Sequence, residues 1–423
     1  MSKPTIGFVG MTHLGLVSGV SAAQKGFKVV CFDQDQDKIK ALHAVNLPVS
    51  EPQLDELVIK NRERILFSSS TLDLVKCDIV YVAPDIPTDD FGKSDLGYID
   101  ELLNLVFAFA RSDAVIVVLS QVPPGFSRKK FRPSRIYFYQ VETLIFGCAV
   151  ERALNPERYI VGCAEPEQAL PKVYEEFLNV DKCPILKMRF ESAELAKISI
   201  NMCLVASVST ANTMAELCEK IGADWSEIVP ALKLDKRIGQ YSYLEPGLGI
   251  AGGNLERDLA TVCNFSDELG TDTSVVRSWI GNSRYRRDWP LRVLHEEVLR
   301  INPYAVIGVW GLAYKQNTHS IKNSPSIALL KQIPDCCVRL FDPVVSADVV
   351  PNQERFASSS ELDACAGADV LVIMTPWPQF AEISPIEIAK QMKGSTILDP
   401  FKVLDAKECR DVGLRYFTLG IAS

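Results

Sequence analysis

The chain has 423 residues, of which 47% are apolar and 23% charged, so it contains enough hydrophobic material for about two or three folded domains. The formal net charge is −8, and no basic block marks a nucleic-acid site, so we expect no nucleic-acid partner. The N-terminus lacks a signal peptide and no uninterrupted apolar run approaches the length of a membrane span. These features predict a cytoplasmic protein without a membrane partner.

Cysteine and histidine patterns argue against a disulfide framework and against a metal site. The 12 cysteines are scattered, and the four histidines form no HxxH or HExxH pattern. We therefore expect reduced thiols and no bound metal.

Short apolar runs alternate with helix-length segments in the first half of the chain. The runs that we predict as buried strands are Thr5–Gly10, Lys28–Asp33, Asp78–Ala83 and Ala114–Leu119. This alternation indicates βαβ units and a parallel sheet.

A glycine turn between the first predicted strand and the following helix is typical of a dinucleotide site. The predicted cofactor contacts in this turn are Gly10, Thr12, His13, Leu14 and Gly15. The motif follows G-x-G-x-x-G except that Thr12 replaces the middle glycine, and backbone N–H groups would approach a pyrophosphate there. Asp33 ends the next strand, where a carboxylate accepts hydrogen bonds from ribose hydroxyls and repels a 2′-phosphate. The pattern predicts NAD rather than NADP.

From Glu191 to Gly222 the sequence pattern becomes that of a helix. Apolar residues recur at helical spacing, and no proline or glycine interrupts them before Gly222. We predict one long central helix there, and its exposed apolar surface favours a homodimer.

A second α/β block begins at Ala305 and repeats the order strand, glycine turn, helix, strand, aspartate. Its predicted strands are Ala305–Gly311, Cys337–Asp342, Asp369–Met374 and Thr396–Asp399. The predicted fold is α/β, with two Rossmann-like parallel-sheet domains joined by a long central helix and a helical domain. The predicted bounds are 1–190 for the NAD-binding domain, 191–300 for the central helical and dimerisation domain, and 301–423 for a nucleotide-sugar-binding domain.

The order and spacing of short motifs along the whole chain resemble the UDP-glucose/GDP-mannose dehydrogenase family. The motifs are Asp33–Asp35 with Lys38; Ser50–Leu54; Pro87–Asp89 with Gly92; Ser120–Gly125; Leu154–Arg158; Ala193–Lys197 with Asn201; Pro246–Gly253; Gly311–Lys315 with Ser324–Pro325; and Phe341–Pro343. The resemblance implies an NAD-dependent enzyme that oxidises the C6 alcohol of a nucleotide sugar, with a UDP-sugar as the favoured substrate. Such enzymes form a carboxylate in two hydride transfers, and a cysteine thiolate adds to the intermediate aldehyde.

The resemblance also implies roles for individual residues. Lys197 and Asn201 match a catalytic pair that shares one helix face and stabilises an alkoxide. Asp258 matches an aspartate that acts through a water in proton transfer. Glu142 matches the first of two glutamates near the substrate.

Binding residues follow from the same match. The implied substrate contacts are Leu144, Tyr243, the Gly249 backbone, Lys315, and Arg237 reaching a neighbouring subunit's site. The implied further cofactor contacts are Lys38, Thr88, Ser120 and Lys322. Lys322 stands where the family has an arginine. A lysine keeps the positive charge but cannot donate the two parallel hydrogen bonds of a guanidinium group.

Three positions depart from the family pattern. Asn254 occupies the position of the nucleophilic cysteine, and an amide cannot form a thiohemiacetal. Gln121 replaces a threonine that helps to position water, and Phe146 replaces the second glutamate. Cys203 and Cys263 lie nearby in sequence, but their helical, apolar surroundings favour structural thiols.

Four functions remain open from the sequence. The first is an oxidation that stops at an aldehyde or ketone, or a redox-neutral epimerisation. The second is full oxidation to a uronic acid without cysteine, and the third is a non-catalytic nucleotide-sugar-binding protein. The fourth is a hydroxy-acid dehydrogenase, against which the second Rossmann-like block argues.

Overall fold

The computed structural model describes residues 3–89, 93–251, 253–350 and 354–422, so Gly92 and Gly252 of the motifs above lie outside the described residues. The strands are β1 Thr5–Val9, β2 Lys28–Phe32, β3 Ile65–Ser68, β4 Ile79–Val82, β5 Val115–Val118, β6 Ile136–Gln140, β7 Tyr159–Cys163, β8 Ile185–Arg189, β9 Ile307–Trp310, β10 Val338–Phe341, β11 Arg355–Ala357, β12 Val370–Ile373, β13 Thr396–Leu398 and β14 Arg415–Phe417.

The α-helices are α1 His13–Gln24, α2 Gln36–His43, α3 Leu54–Lys60, α4 Gly97–Phe109, α5 Phe126–Lys130, α6 Ala149–Leu154, α7 Lys172–Leu178, α8 Phe190–Ile221, α9 Trp225–Leu234, α10 Asn254–Leu269, α11 Ser274–Arg287, α12 Trp289–Leu294, α13 Pro325–Gln332, α14 Glu361–Cys365, α15 Pro385–Gln391 and α16 Ala406–Asp411. The chain forms two compact units, Met1–Ile200 and Asn201–Ser423. The three-domain division with bounds near 190 and 300 stays a prediction.

The first unit is built on a sheet with the strand order β3-β2-β1-β4-β5-β6-β7-β8. All of its neighbouring strands are parallel except β6 and β7, which are antiparallel. Alternate residues of β4 bury into two cores, with Ile79 and Tyr81 in one and Val80 and Val82 in the other. A strand buried on both faces reads as a continuous apolar run, which is the pattern that predicted this strand.

The long helix is confirmed as α8, a continuous helix from Phe190 to Ile221. Gly222 follows it with φ = +77°, a left-handed conformation that ends helices and that glycine adopts without strain. By length and mean hydropathy, α8 is the one helix in the described part of the chain that could cross a membrane, although core helices of soluble proteins meet the same test. Charged residues, among them Glu194 and Lys197, interrupt the apolar residues of α8.

The second unit carries a fully parallel sheet with the order β11-β10-β9-β12-β13-β14. Gly311 ends β9 with φ = +97°, as Gly10 ends β1 with φ = +96°. In both sheets an aspartate beyond the next strand accepts a hydrogen bond from the residue after the glycine: Met11 N donates to Asp33 Oδ2 at 2.8 Å, and Leu312 N donates to Asp342 Oδ2 at 2.6 Å. Both sheets thus contain the same glycine turn and aspartate acceptor, which confirms the predicted pair of Rossmann-like sheets.

The second unit also encloses a charged group at the junction of α8 and α11. The Arg286 side chain is 0% exposed, and its Nη2 donates to Glu219 Oε1 at 3.0 Å. The same carboxylate oxygen accepts from Gly420 N at 2.9 Å. Since a buried guanidinium is costly to leave unpaired, Glu219 stabilises both the helix packing and the segment around Gly420.

Replacing Gly311 by alanine is expected to lower the free energy of unfolding by about 3 kcal/mol or more. The left-handed backbone costs an L-residue about 1–2 kcal/mol, and the new Cβ would lie 2.4 Å from Thr375 Cβ, which adds an overpacking cost. Urea unfolding followed by tryptophan fluorescence measures this, because all five tryptophans lie within residues 201–423.

Gly413→Ala is the matched control. Gly413 also has positive φ, +85°, but an added Cβ meets nothing within 4 Å, so only the backbone cost of about 1–2 kcal/mol is expected. Equal losses for the two variants would contradict the steric argument.

Candidate active site

The glycine turn after β1 has the geometry that a pyrophosphate site requires. Gly10 N donates to Phe32 O at 2.9 Å, which closes the turn against β2. A Cβ on Gly15 would lie 2.0 Å from Gly10 O, so only glycine lets α1 pack this closely on the turn. The N-terminus of α1 with its backbone N–H groups therefore lies directly beyond the turn, and the chain fits the phosphates of a dinucleotide.

Thr12, which replaces the middle glycine, has a structural partner. Its Oγ1 accepts a hydrogen bond from Asp85 N at 2.8 Å, in the segment after β4. The hydroxyl thus ties the turn to that neighbouring loop. In the same region, Ser120 is fully buried and its Oγ donates to Pro84 O at 2.5 Å.

Asp33 is 1% exposed, and both of its carboxylate oxygens have protein partners. Beyond Met11 N, the Oδ2 atom accepts from Lys38 Nζ at 2.8 Å, and Oδ1 accepts from Asp35 N at 3.1 Å. Two residues predicted to contact the cofactor, Asp33 and Lys38, are therefore brought together. A ribose hydroxyl at this position would join or replace the Lys38 contact.

Tyr98, at the start of α4, was not predicted from the sequence. Burial raises the pKa of its hydroxyl to about 12, with the carboxylates of Asp33, Glu101 and Asp35 adding to the shift. It is thus a neutral donor close to the predicted ribose carboxylate. A tyrosine among apolar helix residues carries no sequence signal for this position.

Glu51 joins the glycine turn to the loop that precedes α6. Its side chain is 0% exposed, and its Oε1 lies 2.7 Å from His13 Nε2. The carboxylate also accepts from Gly147 N at 2.8 and 3.0 Å and from Ala149 N at 3.2 Å. The His13 ring stacks on Phe146 with centroids 4.0 Å apart. One buried carboxylate therefore positions both the dinucleotide turn and the loop carrying the predicted substrate residues.

Within the first unit, three residues with predicted roles lie together. Lys197 Nζ lies 2.9 Å from Glu142 Oε1, and both side chains are largely buried. Leu144 N donates to Glu142 Oε2 at 2.8 Å. Glu142 thus holds the ammonium group of Lys197 and fixes the backbone at Leu144, in a place with little access to water.

Within the second unit, Asn201 and Asp258 form a buried pair. Asn201 Nδ2 donates to Asp258 Oδ2 at 2.5 Å, and Arg257 Nε donates to Asp258 Oδ1 at 3.1 Å. Asn201 lies one turn after Lys197 on the continuous helix α8, so the two share a helix face as predicted. The geometry fixes the amide of Asn201 through Asp258.

Asn254 is the first residue of α10 and is exposed. Two residues later, Glu256 carries a buried Oε2 that has no hydrogen-bond partner among the described residues. Burial raises the pKa of this carboxyl to about 7, against the opposing effect of the positive charges of Arg287, Lys322 and Arg284. Sequence reasoning missed Glu256, because a glutamate in the first turn of a helix is usually a solvated residue.

The loop before α10 is held by helix α11. Gly249 has φ = +71°, and a Cβ there would lie 2.3 Å from Ser283 O. Ile250 N donates to Ser283 Oγ at 2.7 Å, and Gly247 N donates to Asn212 Oδ1 at 2.8 Å. This close packing requires glycine at position 249, and the substrate contact of its backbone stays a prediction.

Other predicted binding residues have contacts of their own. The Arg237 side chain is 89% exposed and pairs with Asp235 at 2.7 Å. Tyr243 is half-exposed, Lys315 Nζ lies 5.6 Å from the ring centroid of Tyr314, and Thr88 forms a β-bridge with Ser94. Their binding roles stay predictions.

The two nearby thiols differ in exposure. Cys263 is buried in a small core with Val205 and Leu259, as expected of a structural thiol. Cys203 is exposed on α8, so the expectation of apolar surroundings is wrong for Cys203. Helical spacing places it two residues from Asn201, and therefore on another face of the helix.

Glu51→Ala is expected to lower the free energy of unfolding by roughly 2–4 kcal/mol, because it removes the acceptor of the backbone N–H groups of Gly147 and Ala149 and the partner of the buried His13 ring. The amides of Gly147 and Ala149 should exchange with solvent at least about tenfold faster in hydrogen-exchange mass spectrometry. Glu56→Ala, an exposed position on α3, is the control and should stay within about 0.5 kcal/mol. Unchanged exchange at residues 147–149 in Glu51→Ala would show that Glu51 does not hold this loop.

Three family models match consecutive parts of the chain. They describe the NAD-binding domain (residues 4–178), the central domain (191–283) and the UDP-binding domain (308–406) of the UDP-glucose/GDP-mannose dehydrogenase family. The UDP-glucose 6-dehydrogenase of Rickettsia conorii is 31% identical over 98% of this chain and 99% of its own. That of Bacillus subtilis is 28% identical over 98% of this chain and 93% of its own.

Solved structures agree with this fold. A UDP-glucose dehydrogenase from Pyrobaculum islandicum has a TM-score of 0.84 at 23% identity and covers 100% of this chain and 98% of its own. A UDP-D-ManNAc dehydrogenase from Pyrococcus horikoshii has a TM-score of 0.83 at 21% identity, with 98% and 99% covered. From the three matching domains and the full-length relatives, we conclude that the chain belongs to the UDP-glucose/GDP-mannose dehydrogenase family, whose members are NAD-dependent nucleotide-sugar dehydrogenases acting on CH–OH groups.

Proposed function

We propose that this protein oxidises the C6 alcohol of a nucleotide sugar, most simply a UDP-hexose, and stops after one oxidation. The proposal is supported by three groups of residues. Asn254, the first residue of α10, stands at the position that the family resemblance gives to the nucleophilic cysteine, while the Lys197–Glu142 pair of the first unit and the Asn201–Asp258 pair of the second are both formed. The groups for an alcohol oxidation are thus present, and the group for thioester chemistry is replaced by an amide.

The chemistry explains why the two steps separate. An aldehyde carbon releases hydride readily only after a nucleophile makes it tetrahedral with an oxyanion, and the Asn254 amide is not such a nucleophile. An alcohol carbon is already tetrahedral, so its oxidation needs only charge stabilisation and a proton acceptor. When bound, NAD supplies the hydride acceptor.

The protein's own groups have separate tasks in this proposal. Glu142 holds the ammonium group of Lys197, and Asp258 holds the amide of Asn201, so neither donor has to reorganise as negative charge develops on the substrate oxygen. The glycine turn and Asp33 bind the dinucleotide, and the turn at Gly311 with Lys315 binds the nucleotide sugar. A cytoplasmic homodimer without a membrane or nucleic-acid partner completes the proposal.

Stoichiometry tests the proposal directly. The purified protein with excess NAD and a panel of nucleotide sugars is expected to form one NADH per sugar consumed, with a product mass of an aldehyde or its hydrate. Absorbance at the NADH band and mass spectrometry of the product measure this. Two NADH and a carboxylate product would instead establish full oxidation without cysteine. Binding without turnover, or an isomerised product without NADH, would also contradict the proposal.

Lys197→Met is expected to lower kcat by about 10²–10³-fold, because it removes the cation that stabilises the developing alkoxide. Lys220→Met, an exposed position near the end of the same helix, is the control and should keep the wild-type rate. Steady-state kinetics at saturating NAD measure both variants. A kcat loss below about threefold in Lys197→Met would remove Lys197 from the reaction.

A further inference from the structure

We propose that Glu194 is a positioning residue, which holds the helix that carries Lys197 in a fixed place relative to the dinucleotide turn. The inference rests on the proposed function and extends it, because it assigns the group that keeps the proposed cation and the cofactor site at a constant separation.

The carboxylate of Glu194 is buried and binds backbone rather than a cation. Glu194 lies in α8, three residues before Lys197, and is 0% exposed. Gly125 N donates to its Oε2 at 2.6 Å, and Ser127 N donates to its Oε1 at 2.7 Å. A carboxylate without water is costly unless protein donors replace the water, and these two short bonds do so. The bonds also fix the side chain at both oxygens.

The segment that Glu194 holds connects β5 to α5. Residues 119–125 lie between these two elements without regular secondary structure, and Gly125 precedes α5 directly with φ = +89°. Val122 and Phe126 bury in the same apolar core as Phe190 and Ala193, from the first turn of α8. Apolar packing is not directional, whereas a hydrogen bond is, so the contacts of Glu194 decide where this backbone lies along α8.

Further hydrogen bonds lead from this segment to the dinucleotide turn. Near the start of the segment, Ser120 Oγ donates to Pro84 O at 2.5 Å. The next residue after Pro84 is Asp85, whose backbone N donates to Thr12 Oγ1 at 2.8 Å. Thr12 lies in the glycine turn and directly precedes α1. Helix α8 is therefore linked to the turn through two loops, and all of these contacts lie within the first unit.

The separation that these contacts maintain matters for the proposed oxidation. Lys197 would stabilise charge on the substrate oxygen while the dinucleotide accepts a hydride, so both must keep their places relative to the same carbon atom. A displacement of about 1 Å can lower a rate by about 100-fold, even when the altered residue is far from the reacting atoms. Glu142 holds the ammonium group of Lys197, and Glu194 holds the helix from which that side chain extends.

Glu194→Gln tests the assignment, because the amide keeps the size of the side chain but offers one acceptor oxygen to two backbone donors. We expect kcat to fall by about tenfold or more, expressed per chain that binds NAD in a fluorescence titration. The Kd for NAD should stay within about threefold, since the glycine turn and Asp33 are unchanged. The backbone amides of residues 125 and 127 should exchange at least about tenfold faster in hydrogen-exchange mass spectrometry.

Glu191→Gln is the matched control. Glu191 also connects α8 to α5, but it does so at the surface, where its Oε1 lies 2.8 Å from Arg128 Nε. Because exposed ion pairs contribute little, this variant should keep kcat within about twofold and the exchange of residues 125–127 unchanged. A wild-type kcat in Glu194→Gln would overturn the proposal.

A double-mutant cycle separates positioning from a general loss of structure. Ser120→Ala breaks the other end of the same path, at Pro84. If Glu194 acts through this segment, the double variant should lose less activity than the product of the two single losses. Losses that multiply would show that the two residues act independently, and would overturn the proposal.

Glu194→Asp provides a second variant in case Glu194→Gln does not fold. Its carboxylate keeps two acceptor oxygens but is withdrawn by one methylene group, so we expect a smaller fall in kcat, of about threefold to tenfold, with faster exchange at residues 125 and 127. Faster exchange together with a wild-type kcat would show that the position of this segment does not matter for the reaction.

The outcomes distinguish this inference from the function on which it rests. If the wild type reduces NAD with a nucleotide sugar and Glu194→Gln is equally active, only the assignment of Glu194 fails. If the wild type forms no NADH with any nucleotide sugar, the proposed function fails and the role of Glu194 in it fails as well.

Discussion

A hydrogen bond from a glycine turn to the carboxylate of an aspartate organises each of the two sheets. Met11 donates to Asp33 in the first unit, and Leu312 donates to Asp342 in the second. In the first unit this bond fixes the turn from which α1 begins, and hence where the N-terminus of that helix presents its unpaired N–H groups. Asp342 also accepts from Ala313 N and Trp377 Nε1, so in the second unit the same carboxylate joins three segments. The binding edges of both sheets depend on these two aspartates.

A second set of polar contacts connects these frameworks to the groups that we propose take part in the reaction. In the first unit Glu51 joins the dinucleotide turn to the loop before α6, and Glu142 joins that region to Lys197. In the second unit Ser283 supports the backbone at Gly249 and Ile250, while Asp258 supports Asn201. In each case a hydrogen-bonded residue holds the proposed functional group, and under the proposed function this would lower the reorganisation required during reaction.

The sequence predicted those features that depend on local pattern. Continuous apolar runs marked β1, β2, β4 and β5, and the absence of proline and glycine marked α8. Strand β8 was missed because it is partly exposed and lacks such a run, since Ile185–Arg189 mixes apolar with charged residues. The antiparallel pairing of β6 with β7 depends on contacts distant in sequence, which no local pattern encodes.

The candidate site likewise contains residues that a local sequence pattern predicts and residues that only the folded structure reveals. Lys197, Asn201 and Asp258 could be predicted from the sequence, because they match family motifs. The hydrogen bonds that Glu51 accepts from the loop before α6, and the burial of the Glu256 oxygen, could not. Burial changes the pKa and the hydrogen bonding of a glutamate, and burial depends on how the chain packs rather than on the neighbouring residues in the sequence. Glu51 lay in a recognised motif, but its partners at residues 147 and 149 are nearly one hundred residues away.

The asparagine at the start of α10 has a consequence for the conditions under which such a protein works. A thiolate nucleophile is inactivated by peroxide and by alkylating agents, because the sulfur that attacks an aldehyde also reacts with these electrophiles. Asn254 offers no sulfur to them, and the other groups assigned to the reaction are an ammonium, an amide and carboxylates. The chemistry proposed here is therefore independent of the thiol redox balance of the cell, so it would continue under oxidative stress that arrests an enzyme relying on cysteine.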